Sequence, residues 1–459
     1  MTSALLLSSC GAGTEESNLG ATPGTNVTAI TRHDVTWEFA SNVLAGRFVT
    51  GDWWVVGPAE IVRISPETTE LGDRIVHGSM INPGLNQIPD GLQGYDTLLF
   101  GEADIATYKP LLNVAEGISA SSPLLLQPGT SLISSVSWTS SDVPENASQA
   151  NMKSCSVLTV LDQAPPMGSF RPAYAGSDKT AYYNESGLNW GALANLAIPP
   201  VDSGPMATPE IAEVAARFQR VWLDHRSGWS ARYMHPVDHM PDYSRDFTAL
   251  YGSGALLANM DYEFVDKREL VLGMVQIGID FWGNVQNGAS WQGVGGQCSG
   301  RKFPILFAGR LLNDAQMLSI GTTHPSGYFG VNDPNNRESF GEDCQTFYVE
   351  ETSPGVYNWG YGGYDETYVG LPEWGGSHTT FLFKDNAMWE GDPYRRCCTA
   401  NAWVGQTLAA RIMGLRESWA HPAYFDYVDR YMQIEPVGEW TRSWDRWQQR
   451  MWDLHREDF

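Results

Sequence analysis

The chain has 459 residues, enough for two or three domains with sizeable hydrophobic cores. Its formal net charge of −24 argues against nucleic acid as a partner, because a basic surface supplies most of the affinity for nucleic acids. An acidic ligand would therefore need a local group of cations on an otherwise acidic protein. After the first ten residues, no segment approaches the ~18–20 continuous apolar residues of a membrane-spanning helix.

The N-terminus predicts export. Residues 1–10, MTSALLLSSC, place two small residues between Leu7 and Cys10. This pattern resembles a bacterial lipoprotein signal, which implies a lipid anchor at Cys10 and a place in the cell envelope (outer membrane or periplasm), or secretion. The alternative is an incidental apolar N-terminus. Residues 11–30 are mostly small and polar and predict a flexible tether.

Residues 31–200 predict a β-sandwich domain. They lack helical periodicity, and short runs rich in Val, Ile, Thr and Trp alternate with Gly, Pro and Asn turns. Trp53 and Trp54 point to opposite faces of a predicted hairpin, so only one of them is expected in the core. The predicted strands are residues 35–39, 47–56, 60–65, 131–138 and 154–162.

Residues 201–459 predict an incomplete (α/α) toroid, in which helix pairs are joined by long loops. Apolar residues recur at helical spacing, small residues such as Gly252 and Gly278 allow close packing, and no repeat of fixed period is present. The loop-rich stretch 321–394 is too long for a plain connection and is expected to be functional. The predicted helices are residues 209–225, 243–260, 267–283, 303–314, 399–415, 423–433 and 441–455.

The most informative loop runs from Trp282 to Lys302. It is rich in glycine, carries Trp291, and delivers Arg301 and Lys302 side by side before a helix with Pro304 in its first turn. Two cations beside tryptophans suit a ligand that is both ring-shaped and anionic, such as an acidic polysaccharide. The alternative is a cation pair that caps local carbonyl groups.

Two histidines, His235 and His239, follow the first predicted helix together with Asp238 and Asp242. Their spacing of four could bring both imidazoles to a metal, but Pro236 breaks the helix that would place them on one face. Three interpretations stay open: metal ligation, a catalytic or substrate-binding histidine, and a structural role. We assign no metal ligand among these residues, and the motifs require no cofactor.

Carboxylates and aromatic residues crowd two later loops. Glu342 and Asp343 could serve a glycoside hydrolase as acid and base, or could accept hydrogen bonds from loop amides or an arginine. The glycine-rich stretch 361–378 could stack sugar rings and carry protons, or could be a rigid loop at a domain interface. Its candidate residues are Tyr364, Asp365, Glu366, Tyr368, Trp374 and His378.

The stretch 394–401 opens a helix with two further cations, Arg395 and Arg396, and with Asn401. The amide groups at the N-terminus of this helix would add to a positive field. This stretch is therefore a second candidate for binding an anionic ligand.

Export makes disulfides possible, and five cysteines remain besides Cys10, so at least one of them is unpaired in a monomer. A bridge from Cys298 or Cys344 to Cys397 or Cys398 would fasten the predicted site. The sequence alone leaves the pairing open.

A β-rich domain joined to a helical toroid, with Arg, His, Tyr and Trp in its loops, resembles the secreted polysaccharide lyases of the heparinase, alginate lyase and chondroitin lyase kind. The likeness is one of architecture, with the order of the domains reversed, and no motif of a named lyase family matches residue by residue. It implies β-elimination on an acidic, uronic-acid-containing glycan.

Such a reaction needs a group that stabilises charge on the carboxylate, a base for the C5 proton and an acid for the leaving oxygen. The group that stabilises the carboxylate is predicted to be Arg301, or Arg396 with Asn401. The base is predicted to be His378 or His235, and the acid Tyr364 or Tyr368. Substrate contacts are predicted for Lys302, Arg395, Arg396, Asn401, Trp282, Trp291, Trp374, Glu342, Asp343 and His239.

Two other functions are compatible with the same motifs. A non-catalytic glycan-binding lipoprotein would need only the tryptophans and the cations. A glycoside hydrolase would use a carboxylate pair from Asp238, Asp242, Glu342, Asp343, Asp365 and Glu366.

Overall fold

A computed structural model describes residues 20–89, 91–99, 107–140, 152–200, 203–226, 229–293, 295–326, 339–357, 364–375 and 393–459. Within these ranges the protein has mixed α and β structure, with an N-terminal β-sheet region and a C-terminal helical region. None of the helices in these ranges is both long enough and apolar enough to cross a membrane.

Eight strands form one sheet with the order β7-β9-β10-β3-β2-β4-β8, and β1 pairs with β2 outside this path. All pairs are antiparallel except β3 with β10. Four of the predicted strand segments are confirmed, and the fifth, residues 47–56, contains the end of β2, a turn and β3. The strands in the described ranges are β1 (Thr22–Arg32), β2 (Val35–Arg47), β3 (Trp53–Val56), β4 (Ala59–Ser65), β5 (Thr69–Leu71), β6 (Arg74–Val76), β7 (Ser79–Ile81), β8 (Leu124–Leu126), β9 (Thr130–Ser137), β10 (Met152–Leu161), β11 (Thr346–Tyr348), β12 (Glu351–Ser353), β13 (Val356–Tyr357) and β14 (Pro372–Trp374).

Strand β2 divides this sheet into two branches. Its first half pairs with β4 and its last three residues pair with β3, while β1 pairs with both halves of β2. One branch continues to β8 and the other to β10, β9 and β7. Trp37, Ile61 and Leu126 share one hydrophobic core with Leu132 and Leu158 of the other branch. The two branches therefore bury their apolar faces against each other.

The hairpin between β2 and β3 matches its prediction. Trp54 is 2% exposed and packs with Phe48 and Leu161, whereas Trp53 is only partly buried and lies under the Arg47 guanidinium. Adjacent residues in a strand point to opposite faces, so Trp54 is buried in its own small cluster while Trp53 packs, partly exposed, against the sheet core.

The tether predicted for residues 1–30 is wrong for residues 22–30. Strand β1 begins at Thr22 and pairs with β2 through Val27 and Ile30. Ile30 is buried in the sheet core and Val27 packs against it. These apolar side chains hold β1 on the sheet, although the composition around them is polar. Cys10 lies outside the described residues.

The predicted helices are confirmed. Their bounds differ from the predicted ones by a few residues, except that the first and the last helix are clearly shorter than predicted. Helix α1 ends at Ala216, and beyond it Val221 and Leu223 pack against the sheet while Trp222 stays in the helical core. The helices in the described ranges are α1 (Ile211–Ala216), α2 (Ser244–Ala258), α3 (Phe264–Gln286), α4 (Lys302–Leu312), α5 (Ala315–Leu318), α6 (Ile320–Thr323), α7 (Gly341–Cys344), α8 (Pro393–Cys397), α9 (Ala400–Ile412), α10 (Arg416–Trp419), α11 (Pro422–Ile434) and α12 (Arg446–His455).

Glycines allow the closest helix contacts, as the sequence predicted. A Cβ at Gly252 of α2 would lie 2.7 Å from the backbone nitrogen of Gln406 in α9. A Cβ at Gly278 of α3 would lie 2.3 Å from the carbonyl oxygen of Pro304 in α4. Both distances are far below van der Waals contact, so any larger side chain would push these helices apart.

The sheet and the helices meet along an interface that we call the seam. Strands β9 and β10 are buried on both faces: Leu132 and Leu158 face the sheet core, whereas Ile133 and Val157 pack in a separate cluster with Leu223. This alternation follows the two-residue period of a strand. Val221, Leu223 and Met234 therefore reach the sheet from the helical side.

Arg171 fastens the seam electrostatically. Its guanidinium bonds Asp52 in the β2–β3 turn through Nε at 2.9 Å and Asp280 of α3 through Nη2 at 2.5 Å. All three side chains are buried. Phe170, next in the chain, belongs to the core of the helical region. This part of the segment predicted as sandwich thus packs on the helices.

Candidate functional site

A group of polar side chains is buried in the seam, and we call it the seam cluster: Tyr174, Asp224, His225 and Asn284. The backbone N–H of Asp224 donates to Tyr174 Oη at 3.0 Å, and Asn284 Nδ2 donates to the same oxygen at 2.8 Å. Asn284 Nδ2 also donates to the Asp224 carbonyl at 3.1 Å. The phenol is thus fixed between α3 and the segment that follows α1.

His225 lies between two phenol rings. Its ring centroid is 6.0 Å from that of Tyr174 and 6.3 Å from that of Tyr95, which packs in the seam. Tyr95 Oη and Asn284 Oδ1 are buried and have no hydrogen-bond partner among the described residues. Buried polar atoms without partners are rare, and they indicate a place where water or a ligand completes the site.

Burial governs the acidity of the Tyr174 phenol. Removal from water, and then the nearby Asp280 carboxylate, raise the pKa of Tyr174 well above its usual value. The two N–H donors at its oxygen act in the opposite direction and are outweighed. Tyr174 therefore keeps its proton near neutral pH and can act as a donor.

Two predicted catalytic residues, His235 and Arg301, meet at Asp224, next to His225. His235 Nε2 lies 3.3 Å from Asp224 Oδ1, and Arg301 Nε lies 2.7 Å from Asp224 Oδ2. Arg301 also donates to the Ser244 hydroxyl at 2.6 Å and is almost fully buried. The sequence thus selected two neighbours of the seam cluster, without identifying the cluster itself.

The geometry of His235 does not suit the predicted base. Its Nδ1 lies 2.9 Å from the Pro241 carbonyl oxygen and its Nε2 faces the Asp224 carboxylate. Both ring nitrogens are therefore directed at protein groups, and neither is directed at a substrate position. Arg301 is likewise occupied by Asp224. Both residues support Asp224 in this structure.

Lys302, the other half of the predicted cation pair, is fully buried in the helical core. Its ammonium bonds the Asp343 carboxylate and donates to the Trp419 carbonyl at 2.6 Å, while Trp419 Nε1 donates to Asp343 at 2.8 Å. Glu342 is also buried, and desolvation followed by repulsion from Asp343 raises its pKa to about 7. Lys302, Asp343 and Trp419 thus bond one another inside the helical core.

Residues of the two later motifs meet around Glu373. Its carboxylate accepts from Tyr364 Oη at 3.4 Å and from Arg395 Nη2 at 3.2 Å, and it pairs with Arg430. Trp374 is buried beside them, with the Arg395 guanidinium 5.9 Å from its ring centroid. The sequence predicted three of these residues and missed Glu373 and Arg430.

The remaining predicted residues are spread over the molecule. The Tyr368 ring packs on Tyr364, Arg396 pairs with Glu435, Asn401 is fully buried, and Trp291 stacks on Phe340. His239 is buried and donates through Nε2 to the Val221 carbonyl, and desolvation lowers its pKa to about 3. His378 lies outside the described residues. Of the other carboxylates proposed for a hydrolase, Asp238 pairs with Arg220, Asp365 caps a turn at Thr367, and Glu366 is exposed.

The cysteines differ from their prediction. Cys397 and Cys398 form a disulfide with each other, instead of a bridge to Cys298 or Cys344. Among the described residues, no group of three or more His, Cys, Asp or Glu side chains is arranged to hold a metal ion.

Beside the seam, a cavity of about 480 Å³ opens between α3 and residues 170–183, and we call it the Trp282 cavity. Its lining combines the Trp282, Tyr182 and Tyr183 rings with the carboxylates of Asp178 and Asp314. Tyr182 donates to Asp178 at 2.9 Å and Tyr183 to Asp314 at 2.7 Å. Its size and its mixture of rings and polar groups are typical of small-ligand sites.

Helix α3 links this cavity to the seam cluster. Gln276, Asp280 and Asn284 are spaced by four and face Arg171 and Tyr174, whereas the next face of the helix presents Trp282 to the cavity. This polar stripe in an apolar helix was present in the sequence and could have indicated the seam cluster. The charged triplet at 224–226, directly after an apolar run, was a second signal.

No protein-family model, curated protein sequence or solved structure matches this chain, so the site is interpreted from its geometry alone.

Proposed function

We propose that this protein degrades polysaccharide, and that it is a lyase acting on a uronic-acid-containing glycan with its chemistry in the seam cluster. The proposal depends on one observation: four side chains that can exchange protons or hydrogen bonds lie next to one another. They are the imidazole of His225, the phenols of Tyr95 and Tyr174, and the carboxamide of Asn284. β-Elimination requires a proton acceptor and a proton donor that both contact the same sugar. An imidazole can accept the proton and a phenol can donate one.

Each group has a role in this mechanism. His225 takes the C5 proton, and Tyr174, which holds its proton, delivers it to the leaving oxygen. Asn284 positions the phenol through its Nδ2 bond and offers its unpartnered Oδ1 to a sugar hydroxyl. Arg226, adjacent in sequence and buried in the same segment, supplies the cation for the carboxylate of the sugar. Asp224 supports the segment through His235 and Arg301.

The Trp282 cavity serves as a sugar subsite next to this chemistry. Sugar rings stack on aromatic faces because their C–H edges meet the negative face of the ring. Trp282 and Tyr182 offer such faces, and Asp178 and Asp314 can accept hydrogen bonds from hydroxyl groups. The cavity and the cluster share helix α3 and residues 173–175, which favours one continuous substrate path.

A second function is favoured by the charge of this cavity. Among the described residues that line it, the cation is Arg171, which is bound to Asp52 and Asp280, whereas Asp178 and Asp314 are negative. Such a lining suits a neutral sugar better than a uronate. The alternative is therefore a glycoside hydrolase or a binding protein for a neutral glycan.

The proposal extends to architecture and location. The facing branches of the sheet support a β-sandwich, and the contacting pairs α2–α9 and α3–α4 support an incomplete toroid. The lipoprotein-like N-terminus supports a lipid anchor at Cys10 in a bacterial envelope.

The decisive experiment is incubation of the full chain with a panel of uronic-acid-containing and neutral polysaccharides. Ultraviolet absorbance from an unsaturated product on the acidic polymers supports the lyase. Reducing ends without that absorbance indicate a hydrolase, and retention without cleavage indicates a binding protein. Both of these outcomes contradict the lyase.

Two variants connect the activity to the seam cluster. Tyr174→Phe and His225→Ala should each lower turnover by about 10²–10⁴-fold, the usual contribution of a general acid or base. Tyr251→Phe is the matched control, because Tyr251 is equally buried and its hydroxyl bonds only the Met274 carbonyl in the helical core. If Tyr174→Phe and Tyr251→Phe behave alike, the seam cluster has no catalytic role.

A further inference from the structure

Lys179 has an unusual set of partners. Its ammonium nitrogen lies within hydrogen-bond distance of four consecutive carbonyl oxygens, at 2.8 Å from Ala173, 3.2 Å from Tyr174, 3.2 Å from Ala175 and 2.6 Å from Gly176. The side chain is 7% exposed. An ammonium group has three N–H donors, so it can satisfy this turn only as a cation with shared bonds.

The turn that carries these carbonyls is tightly held on its other side. Gly176 adopts a φ of +67°, and a Cβ there would lie 2.4 Å from Asn287 Oδ1. A Cβ at Gly283 of α3 would lie 2.1 Å from the Ala173 Cβ. The Tyr174 N–H donates to Asp280 Oδ1 at 3.2 Å. The turn thus runs between α3 and the ammonium group with little room to move.

The same turn serves both parts of the proposed site. Ala173 and Ala175 line the Trp282 cavity, and between them Tyr174 sends its phenol into the seam cluster. We call residues 173–176 the cavity wall. Its inward-turned carbonyls would repel one another without a positive charge at their centre.

The geometry points to Lys179 as a positioning residue: its ammonium group fixes the cavity wall and thereby places Tyr174 and the sugar subsite. This inference rests on the proposed function, which gives the cavity wall its role beside a bound sugar. The rigidity of the cavity wall can nevertheless be measured by hydrogen exchange without any glycan. Burial, and then repulsion from Arg171, lower the pKa of Lys179 to about 7, whereas the carboxylates of Asp280 and Asp178 act in the opposite direction, so exchange is measured at pH 6, where the ammonium is charged.

Deletion and chemical rescue test this role. In Lys179→Ala the four carbonyls lose their cation. Hydrogen exchange in a peptide covering residues 170–183 should then become about tenfold faster or more, because a hydrogen bond to a charged group typically contributes enough free energy for a change of that size. Lys179 lines a surface groove of about 440 Å³, so added methylammonium can reach the vacated position. Methylammonium should restore slow exchange, whereas sodium chloride at the same ionic strength should not.

A matched control and a second variant complete the design. Lys153→Ala removes a half-exposed lysine that pairs with Asp34 on the sheet, and it should leave exchange in this peptide unchanged. Lys179→Gln keeps one amide group that can donate to two carbonyls, so its exchange in this peptide should be faster than in the native protein and slower than in Lys179→Ala. It also replaces Lys179→Ala in the test if that variant does not fold.

Two results would overturn the inference: exchange in the peptide that is unchanged in both Lys179 variants, or faster exchange that methylammonium does not slow. Glycan turnover is measured on the same variants and should fall together with the order of the wall. If the native protein acts on no glycan while rescue succeeds, the proposed function fails and the positioning role of Lys179 stands.

Discussion

Glu342 links stability to pH, because its carboxyl group is buried in the helical core. Desolvation, and then the neighbouring Asp343, raise its pKa from the usual 4.5 to about 7. Between these two values the folded protein binds more protons at this site than the unfolded chain. Stability therefore falls as pH rises through this window, and the cost is fully present above about pH 7.

The magnitude follows from the two pKa values. The interval from 4.5 to about 7 spans about 2.5 pH units at about 1.4 kcal/mol each, so ionisation of Glu342 costs roughly 3 kcal/mol of stability. In Glu342→Gln this titration is absent. The free energy of unfolding of the variant minus that of the native protein should therefore increase by up to about 3 kcal/mol from pH 4.5 to pH 7.

Urea unfolding of both proteins at several pH values between 4 and 8 measures this difference. Other groups, including His239 with its pKa lowered to about 3, titrate in both proteins and largely cancel. Glu366→Gln, on an exposed side chain, controls for the loss of one negative charge. A difference that stays flat or decreases as pH rises would show that Glu342 is not held in a site that disfavours its charge.

Two further predictions concern the seam and the cavity. Arg171→Met leaves Asp280 buried without its cation and leaves Asp52 with Arg32 alone, so it should lower the free energy of unfolding in urea by about 3–5 kcal/mol; a loss below about 1 kcal/mol would show that the sheet and helices do not depend on Arg171. Trp282→Ala removes a ring that lines the cavity and also packs against the helical core, so it should weaken retention of the folded protein on a polysaccharide column by about tenfold and also lower the midpoint of thermal unfolding; unchanged retention would remove the cavity from the substrate path.

The helical region was predicted well because its signals are local. Apolar residues at helical spacing and glycines at contact points gave α2, α3, α4, α9 and α11 to within a few residues. The first helix was predicted too long because residues 221–223 are all apolar, as in a helix, whereas in the fold Val221 and Leu223 pack against the sheet and Trp222 packs in the helical core.

The site was harder to predict, because its contacts join distant parts of the chain. Arg301 was expected to bind a ligand, but in the fold it pairs with Asp224, which lies 77 residues earlier in the chain. A sequence shows that a cation is present, but it does not show which carboxylate it meets. Tyr174 was missed for a related reason: it lies outside regular structure, and only its contact with α3 gives it a role.

The parallel pairing of β3 with β10 has a consequence for synthesis of the chain. β3 ends at Val56, but its neighbour in the sheet does not begin until Met152. While the intervening residues emerge from the ribosome, one edge of β3 has unpaired backbone groups that can pair with another chain. Closure of this edge also requires a long loop, which slows folding. The nascent protein is therefore most prone to aggregation before β10 is made, and a holdase chaperone would act in that interval.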